Sequence, residues 1–219
     1  MRIIGTERDG NDIVMKTVNL LQTKKYTPEE YLALEDKAGY KSEYWNGYII
    51  PLHGGEPPML AGADVNHAQI VTNLTETLSP VLKKKNCRTF SNDIKVWIPN
   101  REKFFYPDLT IVCGQLDFYR NRRDTILNPK LIVEVLSEST ASFDRSEKFW
   151  LYQTLESLQE YVLISQDKAV VEQYTRRADG NWIYRATIGI ESSVVFESIE
   201  IKTDLSDIYD FVEFTEENL

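Results

Sequence analysis

The segment Leu131-Ile-Val-Glu-Val-Leu136 is apolar at every position but one. A strand apolar on both faces belongs in the middle of a sheet covered on two sides, which commits the chain to a layered α/β architecture. The exception, Glu134, carries a charge into that interior. Asp108 repeats the pattern as the only acid of Tyr106-Pro-Asp-Leu-Thr-Ile-Val112. A buried charge without compensation is costly, and its usual remedies are a partner, a metal ion or a raised pKa. Two such acids in successive strands point to one shared site, with a divalent cation as its reason.

The 219 residues suffice for one α/β domain with a sizeable core. Apolar content of 42% and charged content of 27% place the chain among ordinary globular proteins. No apolar run reaches the roughly 20 residues of a membrane span. The first twenty residues lack the apolar stretch of a signal peptide, so a cytoplasmic protein is expected. Cys87 and Cys113 have no metal-ligand spacing and are expected as buried free thiols. A net charge of −9 argues against bulk capture of nucleic acid. Lys83-Lys84-Lys85-Asn-Cys-Arg88 and Arg120-Asn-Arg-Arg123 leave room for a local basic groove, although a solvated helix end or loop is the plainer reading of both.

Residues 1–22 read as a leader segment of little pattern, and 23–219 as a single domain. Thr27-Pro-Glu-Glu30 predicts a capping box opening a short helix that ends near Gly39. Ser42–Pro51 predicts a hairpin around Asn46-Gly47, a pair suited to a type I′ turn. A Gly- and Pro-rich loop covers 53–62. A helix with an apolar stripe of Ile70, Leu74, Leu78 and Val81/Leu82 should run from about Asn66, its expected cap, to Lys85. Strands are expected over Arg88–Ile98, Phe105–Cys113, Lys130–Ser137 and Tyr161–Ser165, with a loop over Gly114–Asn128 and a helix over Ser142–Leu158. Val170–Arg177 and Trp182–Ile188 form a second hairpin around Asp179-Gly180, and a short strand and a terminal turn or helix close the tail. The sum is a mixed sheet flanked by helices.

The strand holding Glu134 feeds directly into the 142–158 helix, whose start lies where open α/β sheets place their sites. Asp144, Lys148 and Tyr152 recur at i, i+4 and i+8 on one side of that helix. Lys148 is thus expected near Glu134. Two strand carboxylates suit Mg2+ or Mn2+, and a neighbouring lysine can orient a nucleophile or stabilise a pentavalent transition state. Phosphodiester hydrolysis is the reaction this combination fits best.

The ordered set Tyr26-Thr-Pro-Glu-Glu-Tyr31, Glu43-Tyr-Trp-Asn-Gly47, His67 at a helix start, Tyr106-Pro-Asp108, Val133-Glu-Val-Leu-Ser137-Glu-Ser-Thr140 and Asp144-Arg-Ser-Glu-Lys148 with Tyr152 resembles a known family. It is similar to the Uma-type family of restriction endonuclease-like proteins in the PD-(D/E)xK superfamily, common in cyanobacteria. The resemblance spans about Tyr26 to Ile188. It implies a restriction-endonuclease-like fold, a central mixed β-sheet between helices. It further implies Mg2+ or Mn2+ held by Asp108, Glu134 and the Val135 carbonyl, with Glu43 as an extra acid near the metal. The superfamily places lysine two residues after the second acid, and here that position is Leu136. Lys148 is the expected substitute.

Each residue also has a plainer reading. Asp108 could be a strand-end acid, Glu134 and Lys148 a structural ion pair, and Glu43 a solvated acid on an edge hairpin. His67 reads first as a core or capping histidine, and no second ligand at zinc spacing accompanies it. Asp93 is either a supporting acid or a solvated one. Ser137, Ser139 and Thr140 cap the turn after the strand, and Trp45, Tyr48 and Trp97 belong to the core or an interface. The expected function is metal-dependent DNA endonuclease, acting as a homodimer so that two sites meet a duplex. The alternative is a non-catalytic binding or assembly module that keeps the fold.

Overall fold

Threonine, proline and glutamate start the first helix in the order that the sequence predicts. In the computed structural model, which describes residues 24–52, 64–137 and 140–214, helix α1 spans Pro28–Glu35 with Thr27 as N-cap. Thr27 Oγ1 accepts the Glu30 N–H at 3.2 Å, and the Glu30 carboxylate accepts the Thr27 N–H at 2.9 Å. The helix stops at Glu35, one turn before Gly39, and Glu35 accepts the Ser42 N–H at 2.9 Å. Strands β1 (Ser42–Trp45) and β2 (Tyr48–Pro51) pair antiparallel. Their turn has φ of 50° at Asn46 and 95° at Gly47, the positive pair that a type I′ hairpin demands. These elements belong to the first of two compact units, Met1–Leu60; the second is Ala61–Leu219. The expected leader and the 53–62 loop lie outside the described residues.

The second unit opens with α2 (Val65–Lys84). Asp64, and not Asn66, is its N-cap: the Asp64 carboxylate accepts the Asn66 N–H at 2.8 Å, while the Asn66 amide donates to the Glu213 carbonyl at 2.8 Å. Ile70, Leu74, Leu78 and Leu82 are wholly buried along one stripe. Each of the next two expected strands is split. Arg88–Ile98 becomes β3 (Cys87–Ser91) and β4 (Lys95–Ile98), parted by a turn that exposes Asp93. Phe105–Cys113 becomes the end of β5 (Lys103–Phe105) and all of β6 (Leu109–Cys113). Pro107 lies in the gap, where it has no N–H to give a ladder. A two-residue strand β7 (Thr125–Ile126) lies in the expected loop.

Then come β8 (Leu131–Leu136), β9 (Glu160–Ser165), β10 (Val170–Arg176), β11 (Trp182–Ile188), β12 (Ser193–Phe196), β13 (Ile201–Asp204) and a short helix, α4 (Leu205–Ile208). The main sheet has the order β11-β10-β9-β8-β6-β3. Only β8 and β9 run parallel in it, so the chain between them must cross over, and it does so through a helical run, α3, over residues 141–152. The expected helix reached Leu158. The run instead ends at Tyr152, and the Arg176 guanidinium takes the free carbonyls of Gln153 and Glu156. Leu155 and Leu158 stay buried in the loop that follows.

Side chains of β8 alternate between two apolar layers. Leu131, Val133 and Val135, with Val162 and Ile164 of β9, meet the α2 stripe and the apolar side chains of residues 194–209. On the α3 side the filling is aromatic: Phe149 stacks on Tyr174 at 4.1 Å and on Tyr161 at 5.7 Å, and Tyr152 meets Tyr161 at 5.5 Å. Among the described residues, no helix is long and apolar enough to cross a membrane.

The cysteines correct the sequence reading. The antiparallel register of β3 and β6 sets Cys87 directly opposite Cys113, and the two form a disulfide across a sequence separation of 26. Separate strands hid this proximity, because the register could not be read from either strand alone. Closing a loop of that length stabilises a fold by about 3 kcal/mol, chiefly by restricting the unfolded chain. Urea unfolding should therefore show a loss of that order on adding reductant, and the Cys87→Ser/Cys113→Ser variant should not respond. Two titratable thiols in the unreduced, denatured protein would contradict the bond.

Candidate active site

The strand register brings the two acids together. Leu109 pairs with Val133 across β6 and β8, and one further step along that antiparallel register sets Asp108 opposite Glu134. Directly opposed residues share a face. Asp108 has just left the ladder, and its carboxylate takes over a main-chain donor: Oδ2 accepts the Val135 N–H at 2.8 Å. His67, in the first turn of α2, puts Nε2 3.2 Å from the same oxygen. The carboxylate is thus held from both the strand and the helix.

Glu134 is buried in the centre of the sheet, and α3 supplies its partners. Lys148 Nζ is 2.9 Å from Glu134 Oε1 and 3.3 Å from Asp144 Oδ1. Tyr152 donates its hydroxyl to Glu134 Oε1 at 3.2 Å. The i, i+4, i+8 spacing therefore delivers all three side chains to one cluster. Residues 144–148 form a π-helical turn, in which Ser146 Oγ donates to the Ser142 carbonyl at 2.6 Å. Such turns recur at functional sites, where they re-aim side chains. Arg145 points away from the cluster and fixes the same turn to the sheet, donating to Glu172 of β10 at 2.9 and 2.6 Å.

The electrostatics leave negative charge in excess. Asp108, Glu134 and Asp144 face one lysine and one histidine. Burial pushes the Glu134 carboxyl well above the ordinary carboxylate range; Lys148 opposes this, and Asp108 and Asp144 add to it. Burial disfavours the His67 cation, but the hydrogen bond and charge of Asp108, with Asp64 and Asp144 behind it, outweigh that and raise its pKa above the usual value. Asp144 Oδ1 is buried with no hydrogen-bond partner among the described residues, its contact with Lys148 lacking hydrogen-bond geometry.

This donor set fits a hard divalent cation. Crowded carboxyl groups that share one lysine, with Glu134 pushed toward its protonated form, are the conditions that such an ion relieves. Among the described residues no group of three or more His, Cys, Asp or Glu side chains is placed to hold a metal ion, so side-chain ligands here number two at most. Two carboxylates and a main-chain carbonyl suit Mg2+ or Mn2+, which keep several waters. Asp108, Glu134 and the Val135 carbonyl are the residues that would hold it.

Of the remaining sequence candidates, Leu136 is buried on β8 where the superfamily motif has lysine. Glu43 is a buried acid of the first unit, on β1 opposite Ile50. Asp93 is exposed in its turn, whereas Trp45 and Trp97 are core residues. Ser137 and Thr140 bond to each other, hydroxyl to hydroxyl, at 3.1 Å; Ser139 lies outside the described residues. His67, Asp144 and Tyr152 join the cluster without having been assigned a role in it. The helical spacing signalled the last two. His67 had no such signal, because its partner lies 41 residues away.

The sequence matches the Uma2 family, described as "Putative restriction endonuclease", over residues 28–201. Two relatives come from Synechocystis sp. (strain PCC 6803). Uncharacterized protein sll1609 is 36% identical over 179 residues, covering 82% of this chain and 97% of its own. Uncharacterized protein slr1290 is 34% identical over 170 residues, covering 76% and 84%. A crystal structure of "a putative nuclease belonging to DUF820" from Anabaena variabilis has the same fold, with a TM-score of 0.65 at 18% identity over 86% of this chain and 99% of that one.

Removing one partner of a buried ion pair costs about 3–5 kcal/mol, because the other charge is left without compensation. Lys148→Met should show a loss of that order in urea unfolding. Glu134→Gln/Lys148→Met should recover much of it. A single variant as stable as wild type would mean that Glu134 does not depend on Lys148.

Proposed function

The chain belongs to the Uma2 family of restriction endonuclease-like proteins, and from that premise we propose that it is a metal-dependent endonuclease hydrolysing DNA phosphodiester bonds. The observation that carries the reading is the lysine contact: Lys148 Nζ reaches Glu134 at 2.9 Å from a helix, where Leu136 leaves the superfamily's usual lysine position apolar. Two acids and an ammonium are then gathered at one sheet end.

Mg2+ or Mn2+ held by Asp108, Glu134 and the Val135 carbonyl would acidify a bound water and offset charge on a phosphoryl oxygen. The protein's own groups do the positioning. His67 and the Val135 N–H fix the Asp108 carboxylate, and Tyr152 fixes that of Glu134. Lys148 keeps an ammonium in the same neighbourhood to orient the attacking water and stabilise charge as it builds on the phosphate. Glu43 enters on its chemistry alone, as a buried acid whose replacement by glutamine should slow cleavage. A homodimer would let two sites meet a duplex. The edge strand β11, which exposes Tyr184 and Ile188 on one of its faces, offers it apolar surface.

A non-catalytic binding module is the second reading, favoured by the same Leu136. Supercoiled plasmid with Mg2+ or Mn2+ separates the two. Wild type should nick or linearise it, EDTA should stop the reaction, and Asp108→Ala and Glu134→Ala should each reduce cleavage by at least about a hundredfold while melting cooperatively. Cleavage that survives in the double mutant would sink the endonuclease reading. In calorimetry, Mn2+ binding that is lost in Glu134→Ala would support the metal site, whereas no saturable binding at millimolar Mn2+ would favour the module. Light scattering should give twice the chain mass, and a strict monomer would remove the dimer from the proposal.

A further inference from the structure

The segment Phe118-Tyr-Arg-Asn-Arg-Arg123 contains three arginines and no acid, in a chain of net charge −9. A chain so acidic repels a polyanion at long range, so any docking of nucleic acid must rely on a concentrated local patch. This segment is built into the fold on both sides. Tyr119 is buried, with its ring 5.1 Å from Trp97 and 5.3 Å from Phe104. At the other end Arg122 donates to Asp124 at 3.1 and 2.9 Å, and the buried Lys95 ammonium donates to the same carboxylate at 2.8 Å. Between these anchors the backbone takes the left-handed conformation twice in succession, at Arg120 (φ 47°) and Asn121 (φ 64°). Asn121 tolerates this conformation, but Arg120 seldom adopts it, so the anchors on either side hold the turn there.

The result is a fixed turn whose exposed residues are Arg120, Asn121 and Arg123. Both arginines are braced over aromatic rings, Arg120 over Tyr119 at 5.3 Å and Arg123 over Phe118 at 5.6 Å. Bracing lowers the entropy lost when a guanidinium binds, and its planar fork matches a phosphate. The turn is also tied to the candidate active site. Lys95 Nζ, which holds Asp124, donates to the Tyr106 hydroxyl at 3.1 Å, and Tyr106 stands two residues before Asp108. The other basic segment, at the end of α2, has exposed side chains at Lys83 and Lys84.

We propose that the Arg120–Arg123 turn is the docking element for the phosphodiester backbone of duplex DNA. This rests on the endonuclease reading for its choice of partner, but its test does not need cleavage. Anisotropy of a labelled duplex is measured with wild type in EDTA across roughly 50–200 mM salt. Arg120→Asn/Arg123→Gln is compared with Lys83→Gln/Lys84→Gln; asparagine is chosen because it tolerates the left-handed backbone. Arg123→Gln alone serves if the pair does not melt cooperatively.

The arginine pair should weaken binding about tenfold or more and reduce the slope of log K against log salt by about 0.9 for each phosphate no longer neutralised. The lysine pair should match wild type. Unchanged affinity and slope in the arginine pair, equal weakening in the lysine pair, or no binding by wild type would each overturn the proposal. A parallel single-stranded RNA that alone senses the arginines would overturn duplex DNA as the partner. If plasmid is cut but the arginine pair binds normally, this inference fails and the endonuclease reading stands. If binding shifts as expected but nothing is cut, the reverse holds.

Discussion

The site depends on one carboxylate being kept where water cannot reach it. Glu134 sits in a strand with apolar layers on both faces, and sequestering its charge is tolerable only if an ammonium and a donor come to it. That requirement explains the route of the chain. β8 continues into a crossover rather than a hairpin, so α3 lies across the sheet face that carries Glu134. Tyr152 then serves both the charge and the core: its hydroxyl bonds Glu134 while its ring packs against Phe105 and Tyr161. The bidentate contact from Arg145 to Glu172 holds the same turn on its outer side. Each of these contacts limits the freedom of Lys148, and so keeps Glu134 compensated.

Asp108 meets a different constraint. It stands just past the end of the β6–β8 ladder, partly in contact with water, and is restrained by donors from two elements. The two acids therefore differ in environment although their register makes them neighbours. One is apolar-walled with a raised pKa, and the other is hydrogen-bonded at the rim. An ion bound between them would relieve the repulsion that each imposes on the other.

Much of this was legible in the sequence because it depends on short-range patterns. The strand of Glu134, the start of the helix after it and the spacing of Asp144, Lys148 and Tyr152 are all contained within 22 consecutive residues, and Lys148 meets Glu134 as expected. The fold class followed from the same stretch. Where the reading failed, the missing information was long-range or a competition between local preferences. Pro107 interrupted a strand that apolar content alone would have continued, and Asp64 displaced Asn66 as cap by standing two residues earlier. Arg176, on a distant strand, satisfied carbonyls at Gln153 and Glu156 that would otherwise have favoured a longer helix. The cysteine pair and the His67–Asp108 contact both required a register or a packing angle that no local pattern encodes.

The π-helical turn at Asp144–Lys148 bears on which changes this chain can absorb. A turn closed by i→i+5 bonds holds one more residue than an α-turn, so it rotates everything after it relative to everything before it. Asp144 pairs with Lys148 inside this turn and Lys148 reaches Glu134, while Phe149, Leu151 and Tyr152 follow it and pack against the sheet. Deleting a single residue here would restore a regular helix and separate the charged half of α3 from its aromatic half. Asp144, Arg145 and Lys148 are held in the turn by their partners, and its length is held with them: an insertion or deletion between Ser146 and Glu147 would dismantle the cluster without replacing any of its charged groups.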